Sequence, residues 1–163
     1  MSENKRVAVY LRFKEELDDQ VVTYTWYYGN YEAVIEEHEG WQLAGFYVDE
    51  GSAKNLTEFK RLLDDCKASN IDMIIARSVS QFGRNIIDAL QTAQDLSRLE
   101  PPIAVLFEQE SFCSLSKESP LMLSFMMAIA LAERQQRSEA QKHAWQRKLN
   151  SLRDAEEGKA GDD

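Results

Sequence analysis

A chain of 163 residues has room for one ordinary domain with a full hydrophobic core. Its net charge of −9 argues against a stand-alone nucleic-acid binder, because neutralising phosphates takes clustered Lys and Arg. No apolar run approaches the roughly 20 residues of a membrane span, and the leading Met-Ser-Glu-Asn-Lys-Arg lacks the apolar core of a signal peptide.

Val7-Ala8-Val9-Tyr10-Leu11 is a short continuous apolar run that reads as a buried first strand. From Asp18 to Glu39, Val22, Tyr24, Trp26, Tyr27, Tyr31, Val34 and Ile35 recur at helical spacing, although Thr23, Thr25 and the Tyr pair suit a strand almost as well. Gly40 to Val48 reads as a second strand, closed by Asp49-Glu50-Gly51. Leu56 to Ala68 sets Phe59, Leu62, Leu63 and Cys66 on one face of an amphipathic helix. A third strand, Ile71 to Ala76, runs into the loop Arg77-Ser78-Val79-Ser80-Gln81-Phe82-Gly83-Arg84-Asn85, and a helix follows from Asn85 to about Leu99.

Pro101-Pro102 cannot continue that helix, so the chain turns into a fourth strand, Ile103 to Phe107. Strands alternating with helices imply an α/β fold with a mostly parallel sheet of four or five strands and right-handed crossovers. After Ser119-Pro120, no Gly or Pro interrupts the chain from Leu121 to about Leu152. A helix of about 30 residues there would be roughly 45 Å long, more than a compact domain of this size needs. Its first half is apolar on most faces, which asks for burial against a partner as well as a core. Met122, Phe125, Met126 and Ile129 are the candidate interface residues, with core filling as the alternative for the methionines. The expected division is therefore an α/β region over 1–120, a long C-terminal helix over 121–153 belonging to the same domain, and a frayed tail over 154–163.

Charge is unevenly spread. From Glu15 to Asp65 there are 13 acidic against 3 basic residues, whereas Arg134 to Arg153 carries 6 basic residues against the single acid Glu139. Arg134, Arg137, Lys142, Arg147 and Lys148 could follow a DNA groove, or could form a solvated face with cations favoured toward a helix C-terminus. DNA binding is expected to be weak and nonspecific at most. Cys66 and Cys113 make no disulfide framework and have no His or Cys partner at metal-ligand spacing. Both read as small, half-buried hydrophobes of a reduced, cytoplasmic protein with no metal and no cofactor.

The loop Arg77–Asn85, at the carboxyl end of a strand where open α/β sheets bind ligands, combines with Val7-Ala8-Val9-Tyr10-Leu11-Arg12-Phe13-Lys14 to resemble the catalytic domain of serine recombinases, the resolvase, invertase and large serine integrase family. The family reads Tyr-x-Arg-Val-Ser at the first site and Ser-Arg-Phe-Gly-Arg-Asn at the second. Gly40-Trp41-Gln42-Leu43-Ala44-Gly45-Phe46-Tyr47-Val48-Asp49-Glu50-Gly51, Phe107-Glu108-Gln109-Glu110, Leu115-Ser116 and Leu121-Met122-Leu123 extend the similarity from Val7 to about Leu149.

The resemblance implies a three-layer resolvase-like fold, and a serine hydroxyl that attacks a DNA phosphodiester while arginines neutralise the phosphate. Arg12 and Arg84 match two of those arginines, Tyr10 a supporting position, and Ser80 a small polar position of the second signature. Three departures stand out: Lys14 replaces the nucleophilic serine, Gln81 replaces an arginine, and the loop after Gly51 is shortened, with Leu56 opposite another arginine. The vestigial site is thus Tyr10, Arg12, Lys14, Ser80, Gln81 and Arg84, with no intact catalytic residue. Arg12 and Arg84 have a second reading, as ion-pair partners of Glu15, Glu16 or Asp49. Family members carry a DNA-binding module after the long helix, whereas this sequence stops about ten residues beyond it. The expectation is an inactive relative from a mobile element that assembles with itself or with an active recombinase. The alternatives are a component of an active mixed complex, or a relic.

Overall fold

The computed structural model describes residues 4–13, 20–52 and 54–160. Five strands form one sheet in the order β2-β1-β3-β4-β5: β1 (Lys5–Phe13), β2 (Trp41–Glu50), β3 (Met73–Ala76), β4 (Ala104–Phe107) and β5 (Phe112–Cys113). The first four are parallel, and β5 returns antiparallel beside β4. The helices are α1 (Gln20–Glu37), α2 (Thr57–Lys67), α3 (Ile86–Ser97) and α4 (Ser119–Ala160). The expected mostly parallel sheet is present with five strands; the short β5 hairpin carries too few residues to show an alternation in sequence.

Alternation along β1 builds the three layers, since successive strand side chains point to opposite faces. Val7, Val9 and Leu11 join Met73, Ile75 and Ala104 on the face covered by Tyr31 and Ile35 of α1. Ala8 and Tyr10 join Ile74, Ala76, Val105 and Phe107 on the other face, under Phe59 and Leu62 of α2, Ala89, Leu90 and Ala93 of α3, and Leu123 of α4. Phe82 is fully buried here, with edge-on ring contacts to Phe59 at 5.0 Å, Phe107 at 5.5 Å and Tyr10 at 5.9 Å. Cys66 is buried in the same layer, and burial beside Asp65 pushes its thiol up to about 12, so it is inert at neutral pH.

Arg6 fastens β1 to the entry of β3. Its Nε and Nη2 donate to the two oxygens of Asp72 at 2.9 Å each, and its backbone N–H donates to Asp72 Oδ2 at 2.8 Å. These bonds to Arg6 hold the Asp72 carboxyl below the usual carboxylate range. A depressed folded-state pKa gives stability that is present above the unfolded pKa and lost as pH falls through the folded one. Asp72→Asn should therefore destabilise the chain at pH 7, and the difference from wild type in urea unfolding should shrink toward zero as pH is lowered below the ordinary carboxylate range. A difference constant with pH would show that the carboxylate charge contributes nothing.

Helix α4 is 42 residues long and continues to Ala160, past the expected end near Leu152. Ala155, Glu156 and Glu157 are compatible with continued helix, and Gly158 has open space around it. The chain divides into one compact unit over Met1–Met127 and a second, helical unit over Ala128–Asp163. In the first unit, Met126 and Met127 pack half-buried against the core cluster while Leu121, Met122 and Phe125 are exposed. In the second unit, Ile129 is exposed, as is every described side chain from Leu131 onward.

Candidate functional site

The carboxyl ends of β1 and β3 lie side by side at the point where the strand order reverses, β2 on one side of β1 and β3 on the other. Open α/β sheets bind ligands at such switch points. Arg12 leaves the end of β1, and after β3 the chain makes a 3-10 turn over Val79–Gln81. Arg12 is buried and its Nη2 donates to the Ser80 carbonyl at 3.0 Å, while its Nε, also shielded from solvent, finds no partner among the described residues. An unsatisfied buried donor on a cation is costly unless something accepts from it. The Ser78 and Ser80 hydroxyls lie 3.0 Å apart, Ser78 buried and Ser80 exposed.

Two carboxylates hold this end of the sheet. Tyr10 donates its hydroxyl to Asp49 Oδ2 at 2.9 Å inside the core. Asp49 also accepts from the N–H groups of Glu58 (3.0 Å) and Phe59 (2.9 Å), so a strand residue supplies the acceptor for the first turn of α2 that Leu56, at the N-cap position, cannot. Burial and the Asp49 charge raise the Tyr10 pKa, so the phenol remains a protonated donor. Glu110, beyond β4, accepts from the Val79 N–H at 3.2 Å through one carboxylate oxygen and 3.3 Å through the other. Sequence reasoning left Asp49 and Glu110 out of the site, although both stand inside the quoted Tyr-Val-Asp-Glu-Gly and Phe-Glu-Gln-Glu segments.

Gly83 adopts φ +83°, and a Cβ there would come within 2.7 Å of Asp88 Oδ2. That close approach lets Asp88 accept from the Arg84 N–H at 3.0 Å, while Asn85 caps α3 by accepting from the Asp88 N–H at 2.9 Å. Arg84 is exposed and makes no ion pair among the described residues, and Gln81 is half-buried. The structure thus gathers Tyr10, Arg12, Ser80 and Gln81 around the β1–β3 end and puts Arg84 at the close of the same loop. Lys14, Glu15 and Glu16 lie outside the described residues. Asp49 pairs with Tyr10 and α2, so among the described residues Arg12 takes no carboxylate partner. Leu56 packs against the core cluster, as an apolar side chain should and an arginine would not. The candidate DNA-contacting residues Arg134, Arg137, Lys142, Arg147 and Lys148 are all exposed on α4.

Chemically, the β1–β3 end offers a buried guanidinium whose Nε is unpaired among the described residues, a nearby exposed hydroxyl, and a loop that closes on an exposed guanidinium. That set can hold an anion. Among the described residues, no helix is long and apolar enough to cross a membrane.

The N-terminal catalytic domain of TP901-1 integrase is similar to this chain, with 27% identity over 80% of this chain and 98% of that one and a TM-score of 0.57. A resolvase family site-specific recombinase from Streptococcus pneumoniae shares the fold at 22% identity, over 87% of this chain and 98% of that one, with a TM-score of 0.61. No curated protein matches the chain. The family model for the resolvase N-terminal domain matches residues 8–151. With that match spanning nearly all of the α/β unit and most of α4, the chain belongs to the resolvase family and has the catalytic-domain fold of serine recombinases.

Proposed function

We propose that this chain is a recombinase-type domain that has lost DNA cleavage and works as an oligomerising accessory to strand exchange, assembling with itself or with an active serine recombinase. The observation that carries the loss is the residue set at the phosphate end of the sheet. Arg12 and Arg84 remain, whereas Lys14 stands at the position of the serine nucleophile, Gln81 at one arginine position and the core-packed Leu56 opposite another. Removing a nucleophile costs about 10⁴–10⁶ in rate, and each missing preorganised charge donor on the order of 10²–10³ more. A lysine amine attacks only when its pKa is depressed. The test is incubation of the purified chain with supercoiled and nicked DNA, followed by a denaturing gel. No protein–DNA adduct is expected. An adduct lost in Lys14→Ala would assign the amine as nucleophile, and one lost in Ser80→Ala would assign that hydroxyl; either overturns the reading.

Assembly rests on the exposed apolar residues at the start of α4. Leu121, Phe125 and Ile129 recur every four residues with Met122 beside them, at 78%, 61%, 45% and 44% exposure. Residues i, i+4 and i+8 share a helix face. Met126, by contrast, belongs to the core side, so its substitution tests folding rather than assembly. Phe125→Glu with Ile129→Glu should shift sedimentation from dimer or larger toward smaller species while leaving circular dichroism unchanged. A wild-type chain that stays monomeric at high concentration would remove this part of the proposal.

A further inference from the structure

On the Val7–Val9–Leu11 face of the sheet, α1 is the covering helix among the described residues, and a cleft of about 430 Å³ lies between α1 and the β3–β4 side. Trp26, Tyr27, Tyr31 and Val34 of α1 form one wall, and Leu106 of β4 and Arg77 form the other. The Arg77 guanidinium donates to the Tyr27 hydroxyl at 2.7 Å, and its centre lies 5.3 Å from that ring. Asn30 and Glu108 also line it, with the Glu108 carboxylate bonded to the Tyr31 hydroxyl. Trp26 and Val34 are 62% and 52% exposed, a large apolar surface to leave in water.

The chemistry of this cleft suits an indole. Apolar and aromatic walls take the ring, a planar guanidinium offers its face for stacking, and a carboxylate or amide oxygen takes the indole N–H. Of the chain's three tryptophans, Trp26 and Trp41 belong to the cleft wall itself. The third, Trp145, is 60% exposed on α4, with Leu149 and Leu152 one and two turns on along the same face at 46% and 56%.

Charge decides what this stripe pairs with. Lys142, Arg147, Lys148 and Arg153 flank it, so two such stripes repel each other. Helix α1 carries Glu32, Glu36 and Glu37 and no Lys or Arg, and of the three Glu37 falls on the helix face of Asn30 and Val34. We propose that the α1–β3–β4 cleft is a docking site for the Trp145–Leu152 stripe of a second copy of this chain. The contact is heterologous, cleft to stripe, and distinct from the Leu121–Phe125–Ile129 seam.

The test uses the full chain with Phe125→Glu and Ile129→Glu, so that the seam is disabled, in low-salt sedimentation equilibrium. Concentration-dependent association is expected to persist. Trp145→Ala and Val34→Glu, both at exposed positions, should each weaken it at least tenfold, while Trp145→Phe retains most of it. Glu37→Lys should also weaken it, and adding Lys148→Glu to Glu37→Lys should restore it. A seam-disabled chain that is strictly monomeric overturns the docking while supporting the seam. Association that survives Trp145→Ala overturns the docking, and so does a Trp145→Ala effect seen only as lost DNA affinity. Association undiminished by the two glutamates but abolished by Trp145→Ala would instead sink the seam and keep the docking.

Discussion

Lys14→Ser should leave DNA cleavage at background, and adding Gln81→Arg should raise it by about 10²–10³ over the single variant. On the proposed reading, serine at position 14 supplies the hydroxyl that lysine lacks. Gln81, however, still offers a neutral amide on the turn that places the Ser80 carbonyl against Arg12. A guanidinium there would grip phosphate through two parallel, charge-assisted bonds, which an amide cannot do. Leu56 remains packed on the core, so the double variant is expected to stay well below a complete enzyme. The measurement is the initial rate of covalent adduct formation on supercoiled DNA for Lys14→Ser, Gln81→Arg and the pair. Strong cleavage by Lys14→Ser alone would mean that Arg12 and Arg84 suffice for the phosphate.

Asp49→Ala should be the most destabilising single change at this end of the sheet, by about 3–5 kcal/mol. The carboxylate is 5% exposed and accepts from three donors: the Tyr10 hydroxyl and the N–H groups of Glu58 and Phe59. Removing it leaves those donors without their acceptor, in or at the edge of the core, at about 1–3 kcal/mol each when a group stays dry, with water recovering part of the loss at Glu58. Tyr10→Phe removes one donor together with the bond it makes and should cost only about 1 kcal/mol. Urea unfolding of both variants measures the contrast. Near-equal losses would show that α2 does not depend on Asp49 for its first turn.

Much of this chain is written in local pattern. The continuous apolar run from Val7 to Leu11 marks β1 as a strand buried on both faces before any partner is known. Asn85 marks the start of α3 through a bond only three residues long. Lys14 and Gln81 are legible as departures because a signature motif is contiguous in sequence. The same logic missed what is not periodic. Strand β5 is two residues long, and α4 outran its expected end because compatible residues continued it where composition suggested a tail.

Tertiary structure alone decided which of several equivalent side chains does what. Phe125 and Met126 are neighbours of like polarity, yet the helix turns one to solvent and the other to the core. Asp49 could have paired with Arg12 across the β1–β2 register, but the N-terminus of α2 and Tyr10, 39 residues away in sequence, claim it instead. Arg12 meets the Ser80 carbonyl across 68 residues, and the cleft beside α1 brings together Trp26 and Val34 of one helix with Arg77, just after β3, and Leu106 of β4. Periodicity is set by bonds between near neighbours, so the sequence carries it directly. Pairings across dozens of residues depend on which groups the packed sheet brings within about 3 Å of each other, and that is settled only when the layers close.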